Sequence, residues 1–251
     1  MVEVIRGGPR SGRIATVCAR GGSKGLPGKN LRKLMGKSLV AHAVSHALES
    51  EMFEVVVVSS EDDEILAEAR ACGAGLVVQR PDAMATDDAS KMPPIQHAVM
   101  AAEELAGHCF RTIVDLDVTS PLRSPDDIRG AVKLMEENGV SNVITGAPAR
   151  KSPYFNLVEL RDEGYVELCK PVVPRIERRQ DSPNCYDMNA AVYVWDRDTF
   201  MTKPNVFYLD TLLYVMPEER SHDIDTPLDF ELVELVMKKL ALSALSPINS
   251  E

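Results

Sequence analysis

The sequence predicts an α/β fold with a mainly parallel sheet and helices on both faces. Two patterns and one bulk property predict it. Short continuous apolar runs recur along the chain, and amphipathic stretches of helical period alternate with them. Strands buried on both faces show as unbroken apolar runs, and parallel neighbours need crossover helices. The 251 residues, 45% of them hydrophobic, also suit one sizeable domain with a real core.

The elements follow in order. Residues 14–19 read as a buried strand, followed at once by a glycine- and lysine-rich stretch. Residues 38–50 read as a helix because Leu39, Val40, Ala43, Val44, Ala47 and Leu48 recur on one face. Residues 55–59 form the next strand, and 61–71 a helix that opens acidic, as the helix dipole favours. A strand at 75–79, a helix at 93–105, a strand at 112–117, a helix at 126–137 and a strand at 142–146 continue the alternation. The rhythm breaks over 148–187, which hold several Lys and Arg and five of the sixteen prolines, and predict an extended arm. It resumes with a strand at 190–195 and ends with a helix at 228–240. Residues 1–13 and 243–251 read as tails, leaving one domain over 14–242.

Composition excludes several classes. With 28 basic and 38 acidic residues the net charge is −10, which disfavours general nucleic-acid binding but leaves room for a local basic pocket. No apolar run approaches a bilayer span, and residues 1–13 lack the apolar core of an export signal, so no membrane partner and a cytoplasmic location are expected. Cys18, Cys72, Cys109, Cys169 and Cys185 are odd in number and contain no CxxC, which fits reduced thiols. His42 and His46 have metal-ligand spacing but no third ligand nearby, and read as helix-surface histidines; Cys18 reads as a small buried hydrophobe.

The most informative stretch is RGGSKGLPGKN, from Arg20 to Asn30. Gly21, Gly22, Gly25 and Gly28 let backbone N–H groups approach an anion, while Arg20, Lys24 and Lys29 supply positive charge. Phosphate is the anion that matches such a loop. A Walker A loop is excluded because Ser23 stands where its first glycine belongs and Asn30 where its Ser or Thr belongs. The dinucleotide fingerprint fails on glycine spacing. A nucleotide-triphosphate loop of a third type remains, against the alternative of a basic surface turn.

Asp223 and Asp225 alternate just before Pro227. Residues two apart in an extended segment point the same way, so both carboxylates can face one site. Two hard oxygen ligands suit Mg2+, whose remaining positions go to water and phosphate. The competing role is a helix cap, which Thr226 or Asp225 could fill alone; Asp223 is not needed for it.

ARGGSKGLPGKN resembles the signature loop of the acylneuraminate cytidylyltransferases, the CMP-sugar synthetases for nine-carbon keto acids. RPDAMATDDAS from Arg80, TSPLR from Thr119, RRQ at 178–180 and DIDTPLDF from Asp223 extend the resemblance over about residues 14–240. It implies a Rossmann-like nucleotidyltransferase, a cytoplasmic homodimer that uses Mg2+ to join CTP and a 2-keto-3-deoxy sugar acid into a CMP-sugar and pyrophosphate. Carried over by motif, Arg20, Gly22, Ser23, Lys24 and Lys29 would hold the triphosphate, and Asn30, Arg80, Asp87 and Ser90 would lie by the nucleotide. Arg20, Lys29 and Asp225 would carry the catalysis, and Asp223 and Asp225 the metal. The sugar side would comprise Asp117, Ser120, Arg123, Arg179, Gln180, Tyr186 and Asn189, with the arm contributing to the dimer.

Two departures fall on that sugar side. LDVTSPLR places the acid Asp117 where these enzymes usually have a glutamine, and Asn189-Ala190-Ala191 adds a methyl where NGA is usual. The triphosphate loop is intact, so the nucleotide chemistry is expected to be kept and the sugar altered. Asp117 would then pair with an amino substituent or accept bonds from hydroxyls. A legionaminate, pseudaminate or Kdo-like acid stands beside N-acetylneuraminate. The rivals are a transferase for another sugar or base, and a nucleotide-binding protein on a catalytically dead fold.

Overall fold

The computed structural model describes residues 12–22, 25–86 and 90–245. Strand β1 (Arg13–Cys18) leads through the glycine-rich loop to a small hairpin, β2 (Lys33–Leu34) and β3 (Lys37–Ser38). Helix α1 (Leu39–Ser50), β4 (Val55–Ser60), α2 (Asp63–Ala71), β5 (Leu76–Gln79), α3 (Met92–Ala106), β6 (Thr112–Asp115), α4 (Pro125–Asn138) and β7 (Asn142–Pro148) follow. Each of these matches an expected element to within two residues at either end. Local chemistry sets the starts. The Ser38 side chain accepts the Ala41 N–H to cap α1, Asp62 caps α2, and Ser124 and Asp127 form a capping box on α4. Each such cap is worth about 1 kcal/mol.

The arm holds one hairpin, β8 (Val158–Leu160) and β9 (Val166–Leu168), before β10 (Tyr186–Asp196), α5 (Arg197–Thr202), β11 (Leu212–Val215) and α6 (Pro227–Leu245). Three expectations are corrected here. Arg13 belongs to β1, paired with Thr112, not to a tail. The roots of the arm pair with each other, Tyr186 opposite Pro148, so β10 starts before residue 190. Helix α6 runs on to Leu245 because Ala241, Leu242, Ala244 and Leu245 favour helix. Both β11 and α5 were unexpected. Of the remaining tail positions, 1–11 and 246–251 lie outside the described residues.

The sheet order is β11-β7-β10-β6-β1-β4-β5. β1 pairs parallel with β4 and β6, β4 with β5, and β11 with β7, whereas β10 runs antiparallel between β6 and β7. Successive strand residues feed opposite faces. Ala15, Val17, Val56 and Val58 join Leu39, Val44, Ile128 and Val132 from α1 and α4 on one face. Ile14, Val57 and Ile113 join Ile95 and Val99 from α3 on the other, with Trp195 stacked on Tyr193 at 5.4 Å. Full burial of each such Val, Leu or Ile side chain contributes about 1.5–3 kcal/mol. From β1 the chain moves outward to β4 and β5, then returns through α3 to β6 on the opposite side. That reversal opens a crevice beyond the carboxyl ends of β1 and β6, where open α/β sheets bind ligands.

Candidate active site

The crevice is lined by Cys18, Arg20, Gly22, Lys29, Asn30, Arg80, Ser90, Lys91, Asp117 and Thr119, among others. Seven of the sequence-proposed residues therefore meet in one cleft: Arg20, Gly22, Lys29, Asn30, Arg80, Ser90 and Asp117. Ser23, Lys24 and Asp87 lie outside the described residues. The loop is fixed from within. Asn30 Nδ2 donates to the Arg20 carbonyl at 2.7 Å, which gives this asparagine a role that a serine or threonine hydroxyl would be too short to fill. Gly28 sits at φ 65°, in the left-handed region that glycine tolerates.

The late acidic segment comes directly to this loop. Lys29 Nζ donates to the Ile224 carbonyl at 2.6 Å and stands 3.2 Å from Asp225 Oδ1. A Cβ on Gly25 would lie 2.2 Å from the Asp225 carbonyl oxygen, so this glycine permits the close approach. The capping question is settled by Thr226 and Asp229. The Asp229 carboxylate accepts the Thr226 N–H and hydroxyl, and Thr226 Oγ1 accepts the Asp229 N–H at 3.2 Å. The Asp225 side chain is left exposed, paired with Lys29 rather than consumed by the helix. Asp223 accepts the Ser120 hydroxyl, and burial pushes its carboxyl above the ordinary value.

Arg80 and Asp117 both have protein partners. Arg80 is 5% exposed; Nε and Nη2 reach Glu61 Oε2 at 3.0 and 2.8 Å, and Nη2 reaches the Ala19 carbonyl at 2.8 Å. Glu61 also accepts the Gly21 N–H at 2.7 Å, so one carboxylate ties the arginine to the loop. Asp117 Oδ2 lies 3.0 Å from Lys91 Nζ, and its Oδ1 accepts the Thr119 N–H and hydroxyl. Burial works to raise this carboxyl, but Lys91 and Thr119 hold it down at about 2. Asp117 thus shares the Lys91 ammonium with Asp115, whose Oδ2 lies 2.9 Å from the same Nζ.

The proposed sugar residues separate into three groups. Asn189 and Asp223 line a second cavity with Arg150, Asp187, Met188 and His222. Asn189 is fixed there by Thr145 Oγ1 at 2.6 Å and Ser221 Oγ at 2.9 Å. Ser120 and Arg123 are buried beneath the floor. Arg123 Nη1 donates to the carbonyls of Asp117, Ser120 and Ala191, bracing the TSPLR loop against β10, and burial lowers its guanidinium to about 10. Arg179, Gln180 and Tyr186 stand exposed on the arm and line neither cavity; Arg179 Nη2 donates to the Ala149 carbonyl.

Two relatives match the chain over nearly its whole length. It is 41% identical to the CMP-N,N'-diacetyllegionaminic acid synthase of Campylobacter jejuni, over 93% of this chain and 97% of that protein. It is 38% identical to the post-translational flagellin modification protein B of Campylobacter coli, over 92% and 97% respectively. The family model described as cytidylyltransferase matches residues 14–231. The chain belongs to the cytidylyltransferase family. A solved CMP:2-keto-3-deoxy-manno-octonic acid synthetase, itself complexed with CTP, shares the fold at TM-score 0.63 and 15% identity, over 92% of this chain and 100% of that one.

Within this cytidylyltransferase, Glu61 and Lys91 are site residues that the sequence alone does not mark. Each is an ordinary charged residue in a polar stretch, and only the fold shows that Glu61, just after β4, ties Gly21 to Arg80 and that Lys91, just before α3, lines the crevice. His42 and His46 are also corrected. His42 is buried on α1, with Nε2 at 2.8 Å from the Leu34 carbonyl, and is not a surface residue. Cys18 is half-buried at the cleft wall, and burial pushes its thiol far up, consistent with an inert side chain. No cluster of three or more His, Cys, Asp or Glu suited to a metal occurs among the described residues. No helix among them is long and apolar enough to cross a membrane.

Proposed function

We propose that this chain transfers CMP from CTP to the anomeric hydroxyl of a 2-keto-3-deoxy sugar acid of the nonulosonate class, releasing pyrophosphate. The contact of Lys29 with Asp225 carries this reading, because it joins the phosphate loop to the acidic segment in one place. The near full-length likeness to a CMP-N,N'-diacetyllegionaminic acid synthase supports the substrate class. In the reaction a bond forms from the anomeric oxygen to the α-phosphorus, and the bond from that phosphorus to the bridging oxygen of pyrophosphate breaks. Little covalent help is available, so positioning and charge stabilisation do the work. Arg20 and Lys29 face the charge that builds on the departing pyrophosphate, and Asn30 and Glu61 hold the loop that aims them.

Asp223, beside Ser120, and Asp225, beside Lys29, would each offer a hard oxygen donor of the kind that suits Mg2+ shared with substrate phosphate and water. When bound, the ion would supply Lewis-acid stabilisation of phosphate charge. Asp225→Asn should abolish turnover and leave CTP binding measurable by calorimetry; wild-type rates in that variant would remove the assignment.

The arm supports a homodimer. Val158, Leu160, Tyr165 and Val166 are each more than half exposed there, an apolar surface that a second copy would cover. Arg179, Gln180 and Tyr186 would then reach a sugar site completed by the partner. Five free cysteines fit a reducing cytoplasm.

The deciding assay is pyrophosphate release with each NTP, Mg2+ and a panel of keto-sugar acids. Release with CTP and a nonulosonate is expected. Release with UTP or ATP alone would indicate a different transferase, and none with any acid a binding protein.

A further inference from the structure

Helix α6 is apolar on two opposite faces. Val233 is fully buried, and Phe230, Val236 and Met237 pack beside it against the core. On the outward face Leu228, Leu232, Leu235 and Leu242 are each between 40% and 72% exposed. Steps of four, three and seven residues separate them, so with Lys239 they follow a heptad repeat along one stripe. At 1.5 Å per residue the stripe runs for about 21 Å. A surface helix ordinarily turns charge outward, as α4 does with Lys133 and Glu137. A helix apolar on both sides is one that is covered on both.

The same stripe of a second copy fits it in one direction only. In a parallel pair Lys239 of one copy meets Lys239 of the other, and the two helix dipoles align unfavourably. In an antiparallel pair about an axis through Leu235, that leucine meets its own counterpart and Leu228 lies across from Leu242. Lys239 then lies across from Glu231 at both ends, a charge match of the kind that sets the direction of paired helices. Glu234 is already held by Lys238 at 3.0 Å, whereas Glu231 is exposed and makes no ion pair among the described residues.

We infer that the outward face of α6 is a self-association seam, and that its occupant is the antiparallel α6 of a second copy of this chain. The seam does not depend on the reaction proposed above, and it is distinct from the arm. A two-helix contact of this length is small for an interface that stands alone, so it acts between copies already joined at the arm, where each association engages it twice. Two different two-fold contacts of this kind close at four copies.

Sedimentation equilibrium on the full chain, with and without Leu232→Glu/Leu235→Glu, tests the seam. Both positions are exposed, so the variant should keep its thermal midpoint within about 2 °C of the wild type. The wild type should sediment as four copies and the variant as two. Leu160→Asp/Val166→Asp blocks the arm instead; a wild-type mass there would remove the arm contact and leave the seam. Leu235→Cys reads the axis directly, since only a residue beside its own counterpart can form a disulfide with it. Under an oxidant this variant should link copies well above the level that the wild-type cysteines give, and Leu228→Cys should not. A wild-type mass in Leu232→Glu/Leu235→Glu, or no added linkage through Leu235→Cys, would overturn the second copy as occupant and leave the face to another protein or to solvent. Linkage through Leu228→Cys would overturn the antiparallel direction.

Discussion

Lys29 Nζ lies 2.6 Å from the carbonyl oxygen of Ile224 and 3.2 Å from the carboxylate of Asp225, a residue 196 positions later. This lysine is only 9% exposed, and its ammonium is fixed by a main-chain and a side-chain acceptor of the late acidic segment together. The arrangement ties the position of a cation expected at phosphate to the position of a carboxylate expected at metal.

Lys29→Met should therefore lower kcat by about a hundredfold or more, the usual result of removing one donor that faces developing charge. Stability should fall by only about 1–2 kcal/mol, from the lost hydrogen bond and its partly exposed ion pair. Pyrophosphate release and urea denaturation of the same preparation separate the two effects. A kcat within about twofold of the wild type would place Lys29 in a purely structural role.

Gly25→Ala probes the same junction from the other side. Its Cβ would sit 2.2 Å from the Asp225 carbonyl oxygen, a backbone atom that cannot swing away as a side chain tip can. The loop and the acidic segment must part, at about 1–3 kcal/mol of strain. CTP affinity and kcat should both fall, while a Gly22→Ala control, with open space at its Cβ, should keep its thermal midpoint.

Far from the cleft, Glu103 and Arg197 form a buried ion pair. Arg197 Nη2 lies 2.7 Å from Glu103 Oε2, with Nε at 2.9 Å from Oε1, and the side chains are 8% and 3% exposed. Glu103→Ala should cost about 3–5 kcal/mol, because it leaves a buried guanidinium with only Asp198 at 3.3 Å and takes the acceptor from the Phe110 N–H. CTP turnover at a temperature where the variant is folded should be unchanged.

His46 predicts how stability depends on pH. Burial lowers its imidazole to about 3, with Arg123 and His42 adding to the effect, and Nδ1 has no hydrogen-bond partner. The folded state thus resists a proton that the unfolded chain accepts below about 6.5. The contribution is complete above that pH and is lost as pH falls towards 3, at up to about 1.4 kcal/mol per pH unit. His46→Leu should flatten the stability profile between pH 6.5 and 4; an unaltered slope would show that other groups set it.

Much of this molecule is legible in its sequence because local physics writes it there. The apolar face from Leu39 to Leu48 fixes α1, and Ser38 fixes its start. Arg20 to Asn30 announces an anion loop because glycines and cations have few other reasons to alternate. Strand direction is not written locally, since Ala190 to Trp195 reads alike whether its neighbours run with it or against it, and β10 runs against both. The short strand Leu212–Val215 is only half-buried and takes its identity from β7 beside it. Arg123 is marked by its motif, but its setting is not written there: Nη1 donates to three main-chain carbonyls, while Nε and Nη2 are buried without a hydrogen-bond partner.

The place of β10 between β6 and β7 also sets an order of assembly during synthesis. Until the ribosome has passed Asp196, β7 has no route into the large sheet, because its neighbours there are β10 and β11. Until it has passed Asp225, Lys29 lacks the carboxylate that faces it. A growing chain can display a basic loop able to attract nucleotides long before it has the means to consume them.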